Sequence, residues 1–220
     1  MLNAQQRSPI TFSPAALAVR AKGSQPRDGS SGRYRPEASA ATFKWTATQT
    51  QAIHLMAGPQ RHTLLVGGAR STKTFTYVKQ IVNRAMDAAN SRHAILRFRN
   101  NAVWASVGRD TLPKVMRLCF PGVVLTGPHA EGYFKLPNGS EIWLAGLDEK
   151  ERVEKILGME FATIFFNECS QIPYSSVLAA LTRLAQTCLK ANGDPLLQRA
   201  YYDLNPTNKR HWSNVLSAAL

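Results

Sequence analysis

The residues best suited to chemistry form one run, Gly67-Gly68-Ala69-Arg70-Ser71-Thr72-Lys73-Thr74. A short apolar stretch at 63–66 leads into it. Phe75, Val78, Val82, Ala85 and Ala89 follow at three- and four-residue steps, which predicts an amphipathic helix over 74–89. Glycines let the backbone turn tightly and aim successive N–H groups inward. The helix that follows adds its unpaired N–H groups and the positive end of its dipole. Such a loop cradles phosphates. Lys73 would reach the β- and γ-phosphates of a nucleotide, and the Thr74 hydroxyl would coordinate Mg²⁺. Thr72 stands where a glycine is expected before the lysine. A β-branched residue held there at positive φ would carry strain of about 1–3 kcal/mol. The plain alternative is a strand–loop–helix turn with no phosphate chemistry.

Two later runs extend this chemistry. Ile164-Phe165-Phe166-Asn167-Glu168 closes an apolar strand with polar residues, as strands do that deliver a metal contact and a water-activating carboxylate to a phosphate loop. Glu168 is the candidate base. Asn167 fills the slot usually held by an aspartate; its amide accepts a hydrogen bond from a metal-bound water but brings no charge to Mg²⁺. In Tyr202-Asp203-Leu204-Asn205-Pro206 the proline ends a strand and sets Asn205 at the same sheet edge, within reach of a γ-phosphate. Taken singly, the first run is a buried strand with a polar exit and the second is a turn.

Positioning these residues requires alternating strands and helices. Beyond the elements already named, a short helix is expected at 51–57 and a strand at 93–98. A helical stretch from 102 to about 119 is expected to break near 108–110. Strands at 132–136 and 141–144 flank Asn138-Gly139, a strong hairpin signal. A charged helix at 148–157, a fully apolar strand at 161–166, a helix at 175–189 and a strand at 199–204 complete the order. The fold class this implies is α/β, a mostly parallel central sheet flanked by helices, with one β-hairpin.

Composition narrows the class. The chain has 220 residues and is 44% hydrophobic, enough for a core, while its apolar runs are far shorter than a bilayer requires. Cys119, Cys169 and Cys188 are widely separated, which excludes a disulfide framework and the usual zinc spacings. The net charge of +13 points to a polyanionic partner. Residues 1–43 hold six basic and two acidic side chains in a Gly-, Ser- and Pro-rich setting, and read as a disordered basic tail. A transit peptide is the other reading of that leader. Arg92, Arg97, Arg99, Arg109, Lys114 and Arg117 crowd one segment, either as phosphate contacts or as a solvated face. Cys169, Trp45 and Trp143 read as core, and the five histidines as structural or surface.

Together these motifs, in this order and spacing, resemble the ATPase domain of the large terminase subunit of tailed phages and prophages. The resemblance runs from about Trp45 to Trp212. Gly67–Thr74 is similar to that family's Arg-containing Walker A, and Phe166-Asn167-Glu168 to its Walker B. Asn205-Pro206, followed by His211-Trp212, resembles the coupling motif. Thr48-Gln49-Thr50-Gln51 is placed like the adenine-contacting segment, with Gln51 the better match.

The resemblance implies a P-loop motor over 44–220 that hydrolyses ATP with Mg²⁺ and drives double-stranded DNA into a procapsid. Glu168, Lys73 and Arg70 would be catalytic. Gln51 and residues Gly67, Gly68, Ala69, Arg70, Ser71, Thr72, Lys73 and Thr74 would bind the nucleotide. Asn205 would couple turnover to motion, and Thr74 and Asn167 would hold Mg²⁺. Implied partners are the portal protein, the small terminase subunit and further copies in a ring, in the host bacterial cytoplasm and away from membranes. The family's C-terminal nuclease is expected to be absent, and with it DNA cleavage. The alternative is a catalytically weak nucleotide- or DNA-binding remnant of a prophage terminase; an unrelated P-loop helicase is a third reading.

Overall fold

The computed structural model describes residues 44–68, 72–127, 129–148, 150–207 and 211–213, so the expected tail over 1–43 lies outside the described residues. In chain order the elements are α1 (Ala47–Ala57), β1 (His62–Val66), α2 (Lys73–Asp87), β2 (Arg92–Arg97), α3 (Asn100–Val103), a π-helical run (Trp104–Thr111) and α4 (Leu112–Cys119). Then follow β3 (Tyr133–Lys135), β4 (Glu141–Gly146), α5 (Lys150–Leu157), β5 (Thr163–Phe166), α6 (Tyr174–Leu181) and β6 (Arg199–Leu204). The strands form one sheet in the order β1-β6-β5-β2-β4-β3. All its pairings are parallel except that of β3 with β4.

Burial on both faces explains why the central strands carry apolar side chains at consecutive positions, as at Ala94, Ile95 and Leu96 of β2 and Ile164, Phe165 and Phe166 of β5. Successive side chains on a strand point to opposite faces. Ile95, Phe165 and Tyr201 therefore pack with Tyr77, Val78 and Ile81 of α2 on one side. Their neighbours Leu96, Ile164, Phe166 and Tyr202 pack with Ile156 of α5 and Val177 of α6 on the other. The α2 face at Tyr77, Val78, Ile81, Val82 and Ala85 is fully buried, as its three- and four-residue steps require. At the start of α1, Thr46 and Gln49 form a reciprocal capping box. Among the described residues no helix is long and apolar enough to cross a membrane.

Two local expectations are corrected. The helical stretch after β2 does not break near 108–110. It continues through the π-helical run, whose last turn is marked by the Leu112 N–H reaching Val107 O and Thr111 Oγ1 donating to Ser106 O at 2.9 Å. Gly108 permits this path: a Cβ there would lie 2.8 Å from a Trp104 ring carbon and 2.9 Å from Leu144 Cδ1. The helix expected over 175–189 ends at Leu181. Arg183 O accepts from Phe161 N at 2.8 Å, and Gln186 N donates to Phe161 O at 3.2 Å. Those backbone groups are committed to the segment before β5, so they cannot continue α6.

A buried polar knot joins β2 to β5. His93 is fully buried, with Nε2 2.8 Å from Ser91 Oγ and Nδ1 2.8 Å from Thr163 Oγ1. Ser91 Oγ donates to Ala88 O at 2.7 Å, and Thr163 Oγ1 accepts from Arg84 Nε at 2.8 Å. A neutral imidazole protonated on Nε2 satisfies every one of these groups. Burial, and then the Arg84 charge, pushes the His93 pKa down to about 3. The unfolded chain then takes up a proton below about pH 6.5 that the folded chain refuses. Stability should therefore fall as the pH drops from about 6.5 toward 4, by up to about 1.4 kcal/mol per pH unit from this residue. Urea unfolding of wild type and His93→Gln across that range measures it. The variant should show a shallower decline, and parallel curves would remove His93 as the cause.

Candidate functional site

Parallel pairing brings the C-terminal ends of β1, β6 and β5 to one edge, where the chain leaves β1 for α2. Gly67 N donates to Leu204 O at 3.3 Å, which ties the start of the loop to the end of β6. A cleft of about 440 Å³ opens there, lined among others by Thr72, Lys73, Thr74, Glu168, Asp203 and Asn205. The sequence-predicted residues Lys73, Thr74, Glu168 and Asn205 thus meet around one space. Ala69, Arg70 and Ser71 lie outside the described residues.

Thr72 caps α2 in the left-handed region, φ +61° and ψ +13°, the conformation a glycine would adopt without strain. Its hydroxyl accepts from Gln49 Nε2 at 3.0 Å. Gln49 is buried, whereas Gln51 is exposed on α1. The glutamine of this segment that hydrogen-bonds Thr72 is Gln49. A helical step of two places residues on different faces, and only the fold selects the face that meets the loop.

Lys73 Nζ folds back onto the loop, donating to Gly67 O at 2.7 Å and Gly68 O at 3.0 Å, and reaches Asn205 Oδ1 at 3.4 Å. Thr74 Oγ1 donates to Asp203 Oδ2 at 2.7 Å. Asn167 is buried and turns its Nδ2 toward both Asp203 oxygens, each at 3.1 Å, and toward Thr74 Oγ1 at 3.3 Å. Glu168 also sits in the left-handed region, φ +50° and ψ +51°, and its N–H donates to Asp203 Oδ1 at 2.6 Å. Its carboxylate is ion-paired with Arg97 Nη2 and accepts from Gln171 Nε2 at 2.8 Å. Backbone strain of this kind concentrates where a side chain must be held for function.

Asp203, inside the run Tyr202-Asp203-Leu204-Asn205-Pro206, joins these residues although its place in the motif alone assigns it no role. It is 1% exposed, and burial raises its pKa against the opposing effect of its hydrogen bonds from Glu168, Thr74 and Asn167 and of the Lys73 charge. The available signal was an acid inside an otherwise buried strand, Arg199–Leu204. The basic cluster at 92–117 disperses. Arg92 pairs with Glu141 at 3.2 Å, Arg97 turns inward to Glu168, and Lys114 lines the cleft, while Arg99, Arg109 and Arg117 are exposed. Cys169 and Trp143 are buried as expected, and burial pushes the Cys169 thiol up to about 12, too high for a reactive thiolate.

A family model described as phage terminase large subunit matches residues 59–216. Among solved structures, the chain is similar to the large terminase of a thermophilic bacteriophage, with a TM-score of 0.66 and 20% identity over 79% of this chain and 42% of that one. The same phage protein in complex with ADP matches with a TM-score of 0.62 and 20% identity over 78% of this chain and 41% of that one. The large terminase ATPase domain of Thermus phage P74-26 matches with a TM-score of 0.55 and 17% identity over 80% of this chain and 72% of that one. At such identities the likeness is one of fold. The chain spans about two fifths of the length of the thermophilic phage's large terminase. No curated protein matches it in sequence.

The Thr72 backbone supplies a clean test of strain in the loop. Thr72→Gly and Thr72→Ala both lose the hydroxyl that Gln49 contacts, but only glycine relieves the positive φ. Thr72→Gly should be more stable than Thr72→Ala by about 1 kcal/mol in urea unfolding. Equal midpoints would mean that the loop relaxes away from this geometry.

Proposed function

The chain belongs to the phage terminase large subunit family, and from that premise we propose that it is an ATP-hydrolysing motor that drives double-stranded DNA into a procapsid. The observation that carries this reading is the convergence of Lys73, Thr74, Glu168 and Asn205 on one cleft beside the first turn of α2. The large terminase of the thermophilic phage was solved with ADP and with ATP-gamma-S, which supports a nucleotide as the occupant.

In this reading the phosphates lie against the loop and the N-terminus of α2, whose N–H groups and dipole favour anions. Lys73 leaves the Gly67 and Gly68 carbonyls for the β- and γ-phosphates, and Arg70 approaches the γ-phosphate. Gln49, with Gln51 as the alternative, borders the adenine side. Glu168 orients and deprotonates the attacking water; Arg97 and Gln171 hold its carboxylate in place. Asn205 contacts Lys73 directly, so a change at the phosphates reaches the end of β6 through one hydrogen bond. The site suits a hard cation such as Mg²⁺. Thr74 offers a hydroxyl, and Asn167 Oδ1 is buried with no hydrogen-bond partner among the described residues. When bound, Mg²⁺ neutralises charge on the β- and γ-phosphates.

The net charge of +13 suits contacts to the DNA backbone that hold without reading sequence. A ring of copies, the portal protein and the small subunit are the partners, and the host cytoplasm at the portal is the place of action. Residues 44–220 form the motor and 1–43 a basic tail. The neutral amide of Asn167 favours the second reading, a binding remnant with little turnover.

Phosphate release with and without double-stranded DNA decides between them. Lys73→Ala should abolish nucleotide binding or turnover. Glu168→Gln should keep binding and lose turnover by roughly 10²–10⁴-fold. Full ATPase activity in both variants would discard the assignment.

A further inference from the structure

The acidic charge missing at position 167 is present one strand away. β5 and β6 are parallel neighbours with Phe166 opposite Tyr202, so the next residues, Asn167 and Asp203, stand side by side at the sheet edge. On its other side β6 pairs with β1, with Leu65 opposite Asp203. Asp203 therefore sits between the strand that feeds the phosphate loop and the strand that carries Glu168.

Its contacts are those of a residue serving the loop. One carboxylate oxygen accepts a hydrogen bond from the Thr74 hydroxyl at 2.7 Å, and the other accepts from the Glu168 N–H at 2.6 Å. Thr74, by donating to Asp203, is left with lone-pair density for a cation. Asp203 is 1% exposed, yet among the described residues the ion pairs are Arg92–Glu141 and Arg97–Glu168, and neither involves it. Its hydrogen-bond donors are neutral groups, and a buried carboxylate with the Lys73 charge acting on it from the same cleft still gains from a divalent cation. Two observations point the same way: the buried acid hydrogen-bonded by neutral donors, and Asn167 Oδ1 beside it, buried with no hydrogen-bond partner among the described residues.

Asn167 explains why the acid stands where it does. Its Nδ2 faces both Asp203 oxygens at 3.1 Å. An aspartate at 167 would set two carboxylates at that separation, and one would have to stay protonated. The pair accommodates one charge, and this chain carries it on β6.

We infer that Asp203, on β6, supplies the negative charge that holds the nucleotide-bound divalent cation, with Asn167 as the positioning residue that orients its carboxylate. This rests on the nucleotide-binding reading above. It also removes the main ground for a turnover-deficient remnant, because the site keeps its acid.

The full chain is titrated with a fluorescent ADP analogue in Mg²⁺ and in EDTA, and with Mn²⁺ followed by its EPR signal. Wild type should bind the analogue more tightly with Mg²⁺. Asp203→Asn, matched in shape, should lose Mn²⁺ affinity and the Mg²⁺-dependent gain by roughly 10–100-fold while keeping its metal-free nucleotide affinity. The exchange Asn167→Asp with Asp203→Asn should recover Mn²⁺ binding, since the charge only changes strand; this keeps the test valid if Asp203→Asn alone folds poorly. Wild-type metal dependence in folded Asp203→Asn would overturn the inference. Equal loss of nucleotide affinity with and without metal, unrepaired by the exchange, would overturn it too and leave Asp203 a purely structural residue. Wild type that binds no nucleotide under either condition would instead bring down the functional reading, and this inference with it.

Discussion

The 2.7 Å hydrogen bond from Thr74 to Asp203 joins the first turn of α2 to the end of β6, and the geometry of the cleft depends on it. Through the same carboxylate, the Glu168 backbone and the Asn167 amide are tied to the phosphate loop. Three separate stretches of chain are thereby held at one level of the sheet. Without a shared acceptor at that point, the loop and the Glu168 turn would be neighbours with nothing to set their spacing.

The rest of the fold supports that junction. Parallel pairing of β1, β6 and β5 fixes the relative height of their ends, and burial of both sheet faces makes the register hard to slip. Tyr77 of α2 is wedged between Phe165 and Tyr201, with ring centroids 4.9 Å apart in each case, and its hydroxyl donates to Thr63 O at 2.7 Å. The helix whose first turn faces the cleft is thus anchored to three strands of the sheet. Rigidity beneath the site is what permits strain within it. Thr72 and Glu168 both keep left-handed backbones that an unsupported loop would relax.

Electrostatics give the cleft a divided character. Lys73, Lys114 and the exposed Asp110 line the cleft, and the carboxyl of Asp203 lies buried at its edge. Glu168 lies between, its carboxylate occupied by Arg97 and Gln171.

The sequence alone determined what depends on local pattern. Glycines before Lys73-Thr74 between an apolar strand and a periodic helix defined the loop. The apolar run at 161–166 defined a doubly covered strand, which the structure begins at Thr163, and Asn138-Gly139 defined the hairpin, because periodicity and turn chemistry are written in neighbouring residues. The strain anticipated at Thr72 follows from the same local logic, since a β-branched side chain disfavours positive φ wherever it is placed. What only the tertiary structure decided is lateral. That β6 lies between β1 and β5, so that Asp203 meets Thr74 and Asn167 across 129 and 36 residues of chain, follows from long-range strand pairing. The inward turn of Arg97, the contact of Gln49 with Thr72 and the early end of α6 have the same origin. Each depends on a partner brought close by packing, and a linear pattern records only which face a residue occupies.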